Sequence, residues 1–261
     1  MVSKKIIYVI VFLFSALIVQ AQETKSKLKL KTALSLETRH IWRGLRGGDG
    51  PTVCPTLELQ KGRFTIGAWG GYAFDDSFHE VDLYMTYTTP EFQFLIYDCY
   101  APNPHYWHSD PLDYNSERTV HMVRTTGRFK GTEQFPVSIL ASVYVYGDRL
   151  RNNDEFIVGP NNEDIPNPDF KEKNPDRNSV YFEIGYHHKL ANKEVSYALG
   201  MSPGNSIYTD QFNVCNINMT VQDKFNFGKN YALPISTGLT INPAADRVYL
   251  NFTISLEGEK I

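Results

Sequence analysis

The chain has 261 residues, 42% of them hydrophobic and 21% charged, with a formal net charge of −3. An acidic balance lacks the basic stripe of a nucleic-acid-binding surface, so no nucleic-acid partner is expected. Three widely spaced cysteines, Cys54, Cys99 and Cys215, with no C-x-x-C pair, argue against a disulfide framework and a structural zinc site; no metal or cofactor is expected.

The amino end opens with Lys4 and Lys5, an apolar run of 14 residues over 6–19, and then Gln20-Ala21-Gln22. That order matches a secretory signal cut after Ala21; a membrane anchor would need roughly 20 apolar residues. Residues 1–21 are therefore expected to be a signal peptide and 22–261 one domain. Removing 1–21 takes away two lysines and leaves 24 basic and 29 acidic residues. No later segment is apolar enough for a membrane helix. An exported chain of this kind is either soluble and secreted or a β-barrel in an outer membrane.

From residue 28 onward, alternation with period two dominates. A first strand is predicted over 28–42, with Leu28, Leu30, Leu34 and Leu36 opposing Lys29, Lys31, Ser35, Glu37 and Arg39. Val53, Leu57 and Leu59 then oppose Thr56, Glu58 and Gln60. Phe64, Ile66, Ala68 and Tyr72 oppose Arg63, Thr65 and Trp69, and Val81, Leu83, Met85 and Tyr87 oppose Glu80, Asp82, Tyr84 and Thr86. Phe92, Phe94 and Ile96 follow a turn at Thr89-Pro90-Glu91. Further strands are predicted over 118–129 and 137–146, around Val180 to Tyr186, Val195 to Met201 and Leu233 to Ile241, and over 212–222. The last carries Val248, Leu250, Phe252, Ile254 and Leu256 on one face. The total is about twelve, and many are long enough to cross a bilayer, since a tilted membrane strand needs roughly 9–11 residues.

The connections alternate as well. Tight turns at Lys61-Gly62, Thr89-Pro90-Glu91, 130–134 and 189–193 interleave with loops that include the two longest, 101–117 and 147–178, both rich in Pro, Asn and Asp. Short turns on one rim and long loops on the other point to an outer-membrane barrel. A secreted sandwich or lipocalin-like barrel would show the same alternation with its faces inverted. Strand length favours the membrane, as does a 13% aromatic content with Trp42, Tyr72, Phe74, Tyr87, Phe92 and Tyr100 near strand ends, where an interfacial girdle belongs. The expected fold is all-β, a transmembrane antiparallel up-and-down β-barrel.

The aromatic-Arg-Gly step Trp42-Arg43-Gly44, the proline-containing second strand over 52–59, Gly62-x-Phe64, Gly67-x-Trp69 and the acidic strand Glu80-Val81-Asp82-Leu83-Tyr84 resemble the TorF-like group of bacterial outer-membrane porins. The resemblance covers about residues 39–100 and implies a pore. The stretch from Arg43 to Pro51 is then the first outward-facing loop. It lacks the G-x-x-x-x-G-K-[ST] of a phosphate-binding loop and has no helix after it. Arg43 and Arg46, with Arg39, are expected to put positive charge at the extracellular mouth.

Enzyme chemistry finds little support. No G-x-S-x-G occurs, and His108-Ser109 are neighbours in a loop, whereas a hydrolase needs a serine, a histidine base and a third group brought together. His105 and His108 with Asp110 and Asp113 suit a metal by type but sit in a proline-rich loop without a frame, and His187-His188 diverge in a strand. The inward faces of a barrel carry Lys31, Glu37, Arg39, Glu58, Arg63, Glu80, Asp82, Tyr84, Glu183 and Arg247. These either pair into a plug, because buried charges need compensation, or line a water-filled channel. Glu80 and Asp82 are close like charges that need a cation, and Arg63 is the expected partner.

The sequence thus predicts an outer-membrane pore passing a small polar solute, in contact with outer-membrane lipid and lipopolysaccharide. The alternatives are a closed structural or adhesive barrel and, further off, an outer-membrane lipid hydrolase.

Overall fold

The computed structural model describes residues 26–102, 110–115, 119–148, 156–158, 164–166, 179–191, 193–227 and 231–260. The expected signal peptide (1–21) and the His105, His108 and Ser109 positions lie outside the described residues.

Among the described residues there are sixteen strands: β1 (Lys29–Glu37), β2 (Ile41–Trp42), β3 (Leu45–Arg46), β4 (Thr52–Lys61), β5 (Phe64–Ala73), β6 (His79–Thr88), β7 (Phe92–Tyr100), β8 (His121–Phe129), β9 (Val137–Tyr146), β10 (Phe156–Val158), β11 (Asp164–Pro166), β12 (Val180–Leu190), β13 (Lys193–Gly204), β14 (Gln211–Phe227), β15 (Tyr231–Asn242) and β16 (Arg247–Lys260). Twelve of them form one closed antiparallel barrel in sequence order, while β2–β3 and β10–β11 are separate hairpins in the loops. Closure joins the first strand to the last, with Leu34 opposite Leu256 and Ser35 opposite Ser255. The two serine hydroxyls meet at 2.8 Å across that seam. A closed wall leaves no strand edge unpaired, which a sheet in hydrocarbon requires.

The facing of the wall is opposite to that of a soluble barrel. Leu57, Ile66, Ile139, Ile184, Leu239 and Phe252 all point away from the axis and stand exposed. Their strand neighbours point inward and are mostly Thr, Ser, Asn or charged. In β1 the exposed leucines alternate with half-buried Lys29, Lys31, Ala33, Ser35 and Glu37. An apolar surface continuous around a barrel is far larger than water tolerates, and it matches the lipid-facing band of a membrane barrel. Aromatic side chains gather at the short-turn rim: Phe92 lies 5.4 Å from Phe129, Phe64 4.8 Å from Tyr87 and Phe129 6.5 Å from Phe135.

Two expectations change. The first strand ends at Glu37 rather than running to Trp42, because Thr38 takes a new role. Its backbone N–H donates to the Phe252 carbonyl at 2.9 Å, and its hydroxyl donates to Asn251 Oδ1 at 2.7 Å, which turns the chain off the wall. Trp42 therefore leaves the rim and does not join the aromatic girdle. In the other direction, β14 is longer than the predicted 212–222, running on to Phe227.

Ile184 lies mid-strand with Leu199 and Ile139 beside it on the same face. Ile184→Arg is expected to cost about 2–4 kcal/mol of folding stability in a bilayer, measured by reversible denaturant unfolding in lipid vesicles. A cost below about 1 kcal/mol would place this residue away from the hydrocarbon midplane.

Candidate functional site

The interior is built around the first long loop, which folds inward. After the turn at Thr38, β2 and β3 form a tight hairpin with Trp42 opposite Leu45. Its two central residues, Arg43 (φ 50) and Gly44 (φ 80), both take positive φ, as the two-residue turns that suit a hairpin's twist require. Glycine at position 44 also answers a close approach. A Cβ there would lie 1.9 Å from the Cys215 carbonyl oxygen on β14. The Gly44 carbonyl in turn accepts from Asn242 Nδ2 at 3.0 Å, which pins the hairpin tip beside the 3-10 turn Pro243–Ala245.

This places Trp42 and Arg43 in a stack that crosses the lumen. On one wall, Tyr84 (β6) and Tyr97 (β7) stack at 4.8 Å and 13°, and the Tyr84 hydroxyl donates to Glu58 on β4 at 2.7 Å. Arg124 (β8) lays its guanidinium 4.5 Å over Tyr97 and 4.5 Å over Trp42. Arg43 follows, 4.7 Å over Trp42 and 4.4 Å over Tyr181 on β12. The Tyr181 hydroxyl donates to Glu183 at 2.6 Å and accepts from Asn216 Nδ2 at 3.0 Å. β4 and β12 are half a turn apart in the twelve-strand ring, so the chain of contacts spans the full width. Tyr208, from the loop over 205–210, seals the side: it accepts from Arg43 Nη1 at 3.0 Å and lies 5.0 Å from Tyr181. Cys99, Met122, Tyr144, Tyr181, Tyr208 and Cys215 are all buried around this level.

Beside the hairpin, between β8 and the β12–β15 wall, lies a polar cavity of about 300 Å³ lined by Arg128, Glu183, His187, Asn216, Asn218 and Thr220 among others. Arg128 approaches Glu183 at 4.0 Å, and its Nε is buried without a hydrogen-bond partner. Asn218 donates to Thr240 at 2.8 Å.

The residues expected to line the lumen divide. Lys31, Glu37, Glu58, Glu80, Asp82, Tyr84 and Glu183 sit on inward-facing strand positions. Lys31 lies opposite Glu58 and Glu259 in the ladder, and Glu37 Oε2 lies 3.1 Å from His40 Nδ1. Three others lie elsewhere. Arg39 is off the strand and donates to the Asp49 carbonyl at 3.1 and 2.8 Å. Arg247 is exposed at the long-loop rim, donating to the Asp246 carbonyl. Arg63 is an exposed turn residue that reaches the Tyr87 hydroxyl at 3.4 Å. It is not the partner of Glu80 and Asp82, whose ladder neighbours on β5 are Gly71 and Trp69, far along the strand from the turn. Arg43, expected at the mouth, is inside the barrel; Arg46 stays exposed and pairs with Asp49 at 2.6 Å.

Arg124, Tyr97, Tyr181 and Trp42 were not among the expected lumen residues. One signal for Arg124 was present. Met122, Arg124, Thr126 and Arg128 share one parity in a strand whose other parity is Val123, Thr125, Gly127 and Phe129, so the polar set belongs on the inward face.

On the outer wall, the loop over 110–115 closes over a histidine–carboxylate pair. His121 Nδ1 lies 3.0 Å from Asp98, and Tyr114 stacks on the imidazole at 4.1 Å while donating to Asp98 at 2.6 Å. That bond pushes the Tyr114 phenol up to about 12. The second nitrogen, Nε2, is 3.0 Å from the Pro111 carbonyl. Both ring nitrogens thus face acceptors of this same group. The group fastens a loop to the wall.

No protein family profile matches the chain, and no curated protein matches it; the TorF-like resemblance has no counterpart there. Solved structures similar to it include a KdgM porin (11% identity over 87% of this chain and 97% of that one, TM-score 0.43). A COG4313 outer membrane channel from Pseudomonas putida F1 has 11% identity over 91% and 97%, with a TM-score of 0.42. The CymD monoaromatic hydrocarbon channel has 8% identity over 91% and 89%, with a TM-score of 0.35.

Gly44→Ala is expected to expel the hairpin from the lumen while the wall stays folded. Limited trypsin treatment of the intact barrel checks this: Arg43 is protected in the wild type and becomes cleavable in the variant.

Proposed function

We propose that the protein is an outer-membrane channel for small polar solutes, closed in this conformation by the hairpin at 41–46. The observation that carries the reading is the polar cavity beside a plug held by non-covalent contacts alone. Acyl chains cover the outward band, and the long-loop rim, where Arg46 and Arg247 are exposed, meets lipopolysaccharide phosphates. A solute enters when the hairpin withdraws.

The energetics permit this. Two guanidinium–ring contacts join the hairpin to the wall, Arg43 over Tyr181 and Arg124 over Trp42; each contributes about 0.5–2 kcal/mol, more where water is excluded, so they hold the hairpin by only a few kcal/mol. Withdrawal rehydrates two arginines, which offsets part of that loss. Openings are therefore rare without being forbidden. Once open, the passage presents charges of both signs, Arg128 and Glu183 on one wall and Glu58 on the other, and these select by charge and width.

The stack itself favours a second reading. A lumen bridged from β4 to β12 is a cross-brace, and a barrel braced in this way also serves as a closed structural element of the envelope.

Single-channel conductance in planar bilayers separates the two. Wild-type protein is expected to give brief, infrequent openings, and Trp42→Ala, which removes the centre of the stack, is expected to give steady steps at least tenfold more often. If the folded and inserted Trp42→Ala barrel carries no current, the channel reading fails and the closed barrel stands.

A further inference from the structure

A cluster of metal-ligating side chains on the β6–β7 wall plays no part in the stack or the cavity. Glu80 and Asp82 alternate along β6 and so share the inward face. Cys99 on β7 stands directly opposite Asp82 in the ladder. The thiol and one oxygen from each carboxylate all lie within 4.8 Å of one another. Around a zinc-class ion, with metal–sulfur near 2.3 Å and metal–oxygen near 2.1 Å, tetrahedral ligands are roughly 3.5 Å apart. Ordinary side-chain rotations close that difference.

A second observation is independent of the clustering. Asp82 is only 4% exposed, and its Oδ1 is buried with no hydrogen-bond partner. A carboxylate oxygen left in that state loses its hydration without replacement, at a cost of about 1–3 kcal/mol or more. Arg124 acts on it through space but gives Oδ1 no hydrogen bond. Arg124 is committed to the faces of Tyr97 and Trp42, and its own Nε is likewise without a partner.

We propose that Glu80, Asp82 and Cys99 bind one divalent cation of the zinc class inside the barrel, with a fourth position open to lumen water. Two carboxylates and a thiolate match a borderline metal; calcium and magnesium require more oxygen ligands than are gathered here. On binding, the Cys99 S–H bond breaks, the sulfur bonds to the metal and the proton leaves to water, with no change of oxidation state. Glu80 is half-buried, so the site is reached from the lumen. The other mixed cluster, Glu37, His40 and Cys54, is different in kind. Its histidine already pairs with its carboxylate at 3.1 Å, and none of its polar atoms is left without a partner among the buried side chains. It supplies the internal control.

The test uses the full-length mature protein refolded in detergent with Cd²⁺ as probe, so that entry past the hairpin is not limiting. Bound metal is counted after gel filtration, the thiolate-to-cadmium charge-transfer band is read in the ultraviolet, and folding is confirmed by heat-modifiable gel mobility. One Cd²⁺ per chain with the band present is expected. Cys99→Ser is expected to abolish the band and Asp82→Asn to weaken binding at least about tenfold, as even outer ligand-orienting groups do, while Cys54→Ser leaves both intact. The proposal is overturned if the folded protein binds no cadmium, if the band survives Cys99→Ser, or if it disappears in Cys54→Ser. Should Cys99→Ser fail to fold, Asp82→Asn with unchanged affinity overturns it equally.

Discussion

The barrel's interior depends on Trp42 lying between two guanidinium groups. Arg43 and Arg124 each place a positive charge against one indole, and each then leans on a tyrosine of its own side, Tyr181 or Tyr97. Two arginines brought this close would repel. The ring faces, negative in their quadrupole, and the carboxylates of Glu58 and Glu183 at the two ends of the stack offset that repulsion. The geometry of the first loop follows from it. A hairpin can carry Trp42 to the middle only if its turn is tight, and the turn is tight only because Arg43 and Gly44 accept positive φ and Gly44 has no Cβ to strike β14.

The wall and its contents answer to different solvents. Outside, only hydrocarbon is available, so every backbone group pairs within the closed sheet and the side chains are apolar. Inside, polarity is permitted but space is scarce. The lumen of a twelve-strand barrel is narrow enough that side chains from opposite walls, with one inserted hairpin, meet in contact. Glycines on the inward face accommodate the larger rings. Gly67 faces Tyr84 and Gly200 faces Tyr181, and in both cases a Cβ would lie under 2.5 Å from the ring or its hydroxyl.

The described interior is not fully satisfied in its polar groups. Asp82 Oδ1, Arg124 Nε and Arg128 Nε are buried without partners, and they flank the stack and the cavity rather than being scattered. Groups of this kind are costly in a structural core.

The wall follows from local patterns in the chain. The period-two alternation set the strand count near twelve, the tight turns at Lys61-Gly62 and Thr89-Pro90-Glu91 set the register of their hairpins, and the long loops gathered on one rim, because these are local properties of backbone and neighbouring side chains. The polarity of Glu58, Glu80, Asp82 and Glu183 was legible for the same reason. Alternation is symmetric under inversion, so the outward direction of the leucines rested on strand length and the aromatic residues near strand ends, not on the alternation. The place of the Trp-Arg-Gly step depends on long-range contacts. Read locally it is a solvated turn. Its partners Arg124, Tyr181 and Tyr208 lie on strands and loops far along the chain, and only barrel closure brings them within reach of Trp42. Arg63 shows the converse error: its parity pointed inward, but a turn residue at the rim cannot reach carboxylates near the other end of the same wall.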